Sequence, residues 1–151
     1  MKSILIIFSL VFVYKTAQSQ ELIFKMSQYG ISYKDENTNK YNDAEIKSTD
    51  IIITLQDKQV KVMGEELSTF SLEKIKGQNS NTKNIYTRKW KGTDDNKNPV
   101  DFKYTVNVES KEAMIEVAYK DFRNYYFGKF SYGNLSDAEN KSGLPASVSK
   151  R

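Results

Sequence analysis

PVDFKYTVNVE, Pro99 to Glu109, alternates without a fault. Val100, Phe102, Tyr104, Val106 and Val108 fall on one side, and Asp101, Lys103, Thr105, Asn107 and Glu109 on the other. Successive side chains of an extended chain point to opposite faces, so this period of two predicts a strand with one buried and one solvated face. That pattern belongs to antiparallel sheets, whose two faces meet core and water. Pro99 has no N–H to donate and stands at the strand's start, where none is required.

The same period runs outward in both directions. NIYTRKWKG (Asn84–Gly92) reads as a strand with Tyr86 and Trp90 on one face, and TDDNKN supplies turn residues after it. AMIEVAYKD reads as the next strand, with Ile115, Val117 and Tyr119 alternating. Its good helix formers offer a helix as the rival, but they give only one turn of apolar stripe before Asp121. Upstream, DIIITLQDKQVKVMG reads as a hairpin around Gln56–Gln59. Ile51, Ile53 and Leu55 form one side, and Val60 and Val62 continue it. STFSLEKIKG reads as a shorter strand ending at Gly77, with GQNSNTKN as a polar loop behind it. ELIFKMSQYGISY opens the series, with a bulge or bend expected at Gly30, and DENTNKYND follows as a loop. The expectation is an all-β domain of about seven or eight strands in an antiparallel meander, forming a small barrel or a sandwich.

The ends divide the chain. MKSILIIFSLVFVYKTAQSQ has a positive start at Lys2, an apolar run from Ile4 to Tyr14, and small residues at Ala17 and Ser19. A membrane-spanning helix needs about 20 apolar residues, more than this run supplies. The small-x-small pattern matches a signal-peptidase site, so residues 1–19 read as a signal peptide and Gln20 as the first mature residue. The rival is an uncleaved anchor; no basic stop-transfer cluster follows to support it. Without cysteine the chain carries neither a disulfide nor a lipoprotein anchor. Residues 20–130 read as the β domain and 131–151, polar and without period, as a disordered tail. The protein is therefore expected to be exported, to the periplasm or beyond, with no stable membrane span after cleavage.

Removing residues 1–19 takes Lys2 and Lys15 away and lowers the net charge from +4 to +2. Lysines and acids alternate along the remainder, as in ESKEAMIEVAYKD, rather than gathering on one face as a nucleic-acid binder requires. Nucleic acid is excluded as a partner on that ground. The chain has no histidine, which removes imidazole-based triads and His zinc sites. None of its seven glycines forms a phosphate-binding loop. Asp94–Asp101 and Asp35–Asn39 resemble calcium loops only superficially. The required inner Gly is replaced by Pro99 in the first and Lys40 in the second, so both read as turns, and no metal or cofactor is expected.

Carboxylates are the remaining route to catalysis. A glycan-cleaving pair needs two acids facing one cleft. The period-two reading turns Asp101 and Glu116 outward, so the protein reads as a non-enzyme. The candidate contact residues are aromatic. Trp90, the single tryptophan, and Tyr86 share a face as a stacking platform. YYFGKFSY (Tyr125–Tyr132) carries Tyr125 and Phe127 on one face, with Tyr126 opposite and Phe130 beyond Gly128. Lys129 interrupts the aromatic–Gly–aromatic core of an RNA-recognition strand, so this stretch reads as a final strand. It either closes a barrel against the first strand, Leu22 to Ser32, or offers its edge to another chain.

The runs IIITLQDKQVKVMGEELSTFSLEKI, IYTRKWKG, VDFKYTVNV and AMIEVAYKDFRNYYFG together resemble a loose group of short exported β-proteins of Gram-negative bacteria. In that group a signal peptide precedes a meander ending in an acidic-aromatic strand. The resemblance, over residues 46–130, implies the fold class and an envelope location and carries over no catalytic residue. The function expected is a non-catalytic binding or surface-interaction module of the envelope, meeting a protein or small-molecule partner. The alternatives are a lipocalin-like carrier of a small lipophilic ligand and a carboxylate-dependent glycan-active enzyme. Large inward residues fill a small barrel rather than leave a cavity, which favours surface interaction over an internal ligand.

Overall fold

The structure is a computed structural model describing residues 21–82 and 84–133, with the backbone alone between 74 and 82. The expected signal peptide and the expected tail beyond Gly133 lie outside the described residues. Eight strands follow one another: β1 (Leu22–Tyr33), β2 (Glu45–Gln56), β3 (Gln59–Met63), β4 (Leu67–Thr82), β5 (Ile85–Asp94), β6 (Pro99–Asn107), β7 (Glu112–Ala118) and β8 (Phe122–Tyr132). Each pairs antiparallel with the next, and β8 pairs with β1, so the meander closes into a barrel. Closure removes the two terminal sheet edges; β3 is short, so Glu45–Ile51 of β2 and β4 beyond Ser71 pair on one side only. The sandwich alternative falls, and so does the idea that β8 lends its edge to another chain.

The alternation at Pro99–Glu109 sets the inside. Val100, Phe102, Tyr104 and Val106 of β6 are buried, and their partners across the ladder continue the interior: Trp90 on β5, and Val117, Ile115 and Ala113 on β7. Phe24, Met26, Ile53, Leu55, Val60, Val62, Phe70, Leu72, Tyr126 and Phe130 complete one core. The rings interlock at its centre. Phe24 lies 5.8 Å from Tyr104 and 6.5 Å from Phe130, and Trp90 lies 5.3 Å from Tyr104 and 6.0 Å from Phe102. Outside, Lys61, Lys89, Lys91 and Asp101 are exposed. A barrel that sits in a membrane turns its apolar side chains outward; this one turns them in. No helix among the described residues is long and apolar enough to cross a membrane. Ile23 and Ile52, with Met63 packed beside them, form a small separate apolar cluster on the outer wall.

Three expectations need correction. The loop expected at GQNSNTKN is the second half of β4, because its backbone pairs with β5 from Gly77 opposite Lys89 to Thr82 opposite Ile85. Polar side chains do not prevent pairing when the facing strand supplies the ladder. The irregularity expected at Gly30 lies instead between Met26 and Gln28. Gly30 has a different reason to be glycine: a Cβ there would stand 2.6 Å from Ile46 Cδ1 and 3.1 Å from the Glu45 carbonyl oxygen. The last strand continues through Tyr132, taking two residues assigned to the tail. Glu116 does point outward, yet it is only 8 % exposed. Lys103 across the β6 ladder pairs with its carboxylate, and Arg123 Nη1 stands 3.2 Å from Oε1. The Tyr41 ring, brought back over the wall by the β1–β2 loop, lies 3.9 Å from the Arg123 guanidinium carbon.

The supposed calcium loops are hydrogen-bonded turns. Asp94 Oδ1 accepts from the Asn96 and Asn98 N–H groups at 2.9 and 2.8 Å, and Asp35 Oδ1 accepts from Asn37 and Thr38 at 2.9 and 2.7 Å. Burial works to raise the Asp94 pKa, but the bonds from Asn98 and Asn96 outweigh it and the pKa is lowered. The Asp35 pKa is lowered chiefly by the Thr38 N–H.

Candidate functional site

The register sorts the aromatic candidates into three places. Tyr86, Arg88 and Trp90 occupy one inward row of β5, opposite Val106, Tyr104 and Phe102 of β6. Trp90 is buried beneath the row, whereas Tyr86, 41 % exposed, stands at the rim. Here β1 begins and β8 ends, and Leu22, Tyr86, Arg88, Tyr104, Val106, Val108, Phe130 and Tyr132 ring an open mouth of about 430 Å³. Tyr132 meets Phe130 edge-on at 5.7 Å. The Phe130 N–H donates to the Lys111 carbonyl at 2.9 Å, and the Lys111 ammonium lies 5.6 Å from the centre of the Phe130 ring. Thus Tyr86 and Phe130 do share a site, whereas Trp90 does not line it but packs below on Tyr104, so the expected Tyr86–Trp90 platform does not form. Sequence reasoning missed Tyr104, Tyr132 and Arg88. Parity from Trp90 would have placed Arg88 inward, since it lies two residues away.

Tyr126 goes toward the opposite end. It is buried against Tyr29, ring centres 5.1 Å apart, and the Tyr29 hydroxyl donates to Asn124 Oδ1 at 3.3 Å. Close by, Tyr119 stacks on Phe122 at 4.4 Å and its hydroxyl donates to Asp94 Oδ2 at 3.4 Å. Tyr125 and Phe127 face outward, half-buried and stacked, with ring centres 6.5 Å apart. Phe127 borders two outer grooves. One, about 520 Å³, includes Ile85, Thr105 and Met114; the other, about 330 Å³, is shared with Tyr125, Tyr41 and Ile46.

Burial leaves a mark on the tyrosine hydroxyls. It pushes up the pKa of Tyr29, Tyr104, Tyr119 and Tyr126, with the neighbouring Asp94 charge helping to raise Tyr119 to about 12. In the unfolded chain these phenols ionise near 10.0. Their contribution to stability is therefore fully present below that pH and is lost as pH rises through the folded-state values. Urea unfolding should show stability declining from pH 10 to pH 12, and Tyr126→Phe should make the decline shallower. Stability that holds or rises over this range would contradict the burial of these hydroxyls.

Among the described residues no group of three or more acidic side chains is arranged to hold a metal ion. Scans of the chain against protein-family models, curated proteins and solved structures return no match.

Proposed function

We propose that this protein is a non-catalytic binding module of the bacterial cell envelope, and that it binds at the aromatic mouth of the barrel. The observation that carries this reading is the contrast between the two ends. The interior is filled with Phe24, Phe102, Trp90 and Ile115, and toward the far end the rings of Tyr29 and Tyr126 pack 5.1 Å apart. The near end opens into a concavity of about 430 Å³ walled by rings and aliphatic side chains. That volume lies in the usual range of small-molecule sites, roughly 300–1,000 Å³. The filled interior argues against a deep lipocalin-like cavity, so the ligand sits in the mouth. The glycan-cleaving alternative finds little support. Glu116 is engaged by Lys103 and Arg123 on the outer wall, and a general acid needs a raised carboxyl pKa, whereas Asp35 and Asp94 are lowered.

Export supports the envelope location and is compatible with the fold: the first described strand, β1, begins at Leu22, beyond the expected cleavage site after Ser19. The resemblance to exported β-proteins points the same way. A second reading has its own observation, the outward stack of Tyr125 and Phe127 between two grooves, which suits a protein partner.

Native mass spectrometry of protein purified from its own host tests all three. We expect an N-terminus at Gln20 and a small molecule in substoichiometric or full occupancy that disappears in Tyr86→Ala. Intact Met1 in a membrane fraction would overturn export. A protein partner lost with Phe127→Ser, and no small molecule, would move the site to the outer wall.

A further inference from the structure

Among the described residues that line the mouth, Arg88 is the one charged side chain, set among rings and aliphatic groups. Its cross-strand neighbour is Tyr104, which is buried, and both line the same mouth. Its charge is felt there: it opposes the upward effect of burial on the Tyr104 hydroxyl. Among the described residues, no carboxylate lies within ion-pair distance of Arg88; the pairs formed are Lys47 with Glu45 and Glu116 with Lys103 and Arg123. Glu109, an acid of the neighbouring β6–β7 turn, accepts from Asn84 Nδ2 at 2.6 Å. A second cation, Lys111, lies over the Phe130 ring of the same mouth.

Arg88 is exposed at the mouth, and among the described residues no carboxylate pairs with it. Arginine presents a planar fork that matches a carboxylate with two parallel hydrogen bonds. The walls around it are rings: Tyr86, Tyr104, Phe130 and Tyr132. Below the mouth Trp90 packs on Phe102 and Tyr104, so a long chain has no shaft to enter. We propose that the mouth binds a compact aromatic carboxylate, with its anion on Arg88, Lys111 near the same charge, and its ring among the tyrosines. This rests on the mouth being the binding site.

Trp90, the single tryptophan, lies directly beneath and reports occupancy by its fluorescence. The purified protein is titrated with 1-naphthoate, with the neutral isostere 1-naphthalenemethanol and with palmitate. We expect naphthoate to bind about tenfold or more tightly than the alcohol, as a bidentate charge-assisted pair requires. Arg88→Gln should erase that preference, leaving the alcohol's affinity and the melting temperature unchanged because Arg88 is exposed. Tyr86→Ala should weaken both aromatic probes. Equal binding of acid and alcohol, or an Arg88→Gln variant that keeps the preference, would overturn carboxylate recognition while leaving the mouth as the site. Palmitate binding more tightly than naphthoate would overturn the compact ligand. Failure of every probe, or aromatic binding untouched by Tyr86→Ala, would overturn the mouth itself.

Discussion

Gly128→Ala should destabilise the barrel by about 3 kcal/mol or more, the upper end of what overpacking costs, and lower its melting temperature by roughly 10 °C or more. A Cβ at Gly128 would collide with the Lys25 carbonyl oxygen and stand 2.7 Å from Met26 Cα. Both obstacles are backbone, so no rotamer change relieves them. The position pairs with Met26 just before the bulge that leaves Ser27 unmatched between Met26 and Gln28. Gly92 has the same arrangement: it pairs with Leu72 just before the irregularity at Glu73, and its Cβ would meet the Ser71 carbonyl oxygen and lie 3.2 Å from Leu72 Cα. The β8–β1 and β4–β5 seams are four strands apart in a ring of eight, so the two sites face each other across the barrel.

A bulge sharpens the bend of a strand, and a glycine opposite lets the neighbouring backbone come close. We read the pair as the two corners at which the sheet folds over to close. Alanine restricts the unfolded chain and would by itself stabilise by up to about 1 kcal/mol, so the clash must outweigh this gain. Gly133→Ala is the control, since nothing lies within 4 Å of a Cβ there. Thermal melts followed by circular dichroism decide the matter. A Gly128→Ala protein melting within a degree or two of the parent would sink the corner argument.

These corners mark where the sequence stops being legible. Period two reveals a strand because alternation is local, and it gave β6 and both faces of Pro99–Glu109 correctly. It also resolved AMIEVAYKD against its helix formers, since Ile115 and Val117 both enter the core. The bulge at Ser27 leaves no local trace; it follows from how β8 lies against β1 about a hundred residues away. The second half of β4 was hidden because its polar residues are strand by virtue of β5 alone. Glu116 shows the same limit in a side chain. Parity put it outside correctly, but its burial depends on Lys103 and Arg123 arriving from both neighbouring strands. Tyr86 and Trp90 could be grouped because they share one strand, yet only Tyr86 lines the mouth. Tyr104 and Tyr132 join it only through closure, and Arg88 was passed over because a charged residue in a strand is by default assigned to water.

The paired variants Tyr126→Lys and Tyr125→Lys should differ sharply, although the residues are adjacent. Tyr126 is 6 % exposed, inside toward the far end, with the Tyr29 ring 5.1 Å away. Removing a buried aromatic costs roughly 3–5 kcal/mol, and lysine adds an ammonium that the apolar interior cannot solvate. The variant should therefore lose at least about 12 °C in melting temperature for a domain of this size, or fail to fold. Tyr125 faces outward and is only half-buried, stacked on Phe127. Its replacement sacrifices one ring contact, worth about 0.5–1.5 kcal/mol, and leaves the added charge in water. Tyr126→Phe keeps the ring and should melt close to the parent, showing that the loss in Tyr126→Lys comes from packing and charge. Size-exclusion chromatography beside the melts separates folding from association. If Tyr126→Lys stays folded and only an association is lost, Tyr126 faces a partner and the far end is misassigned. If Tyr125→Lys is the more damaging of the two, the inward and outward faces of β8 are reversed, and the register that closes the barrel fails with them.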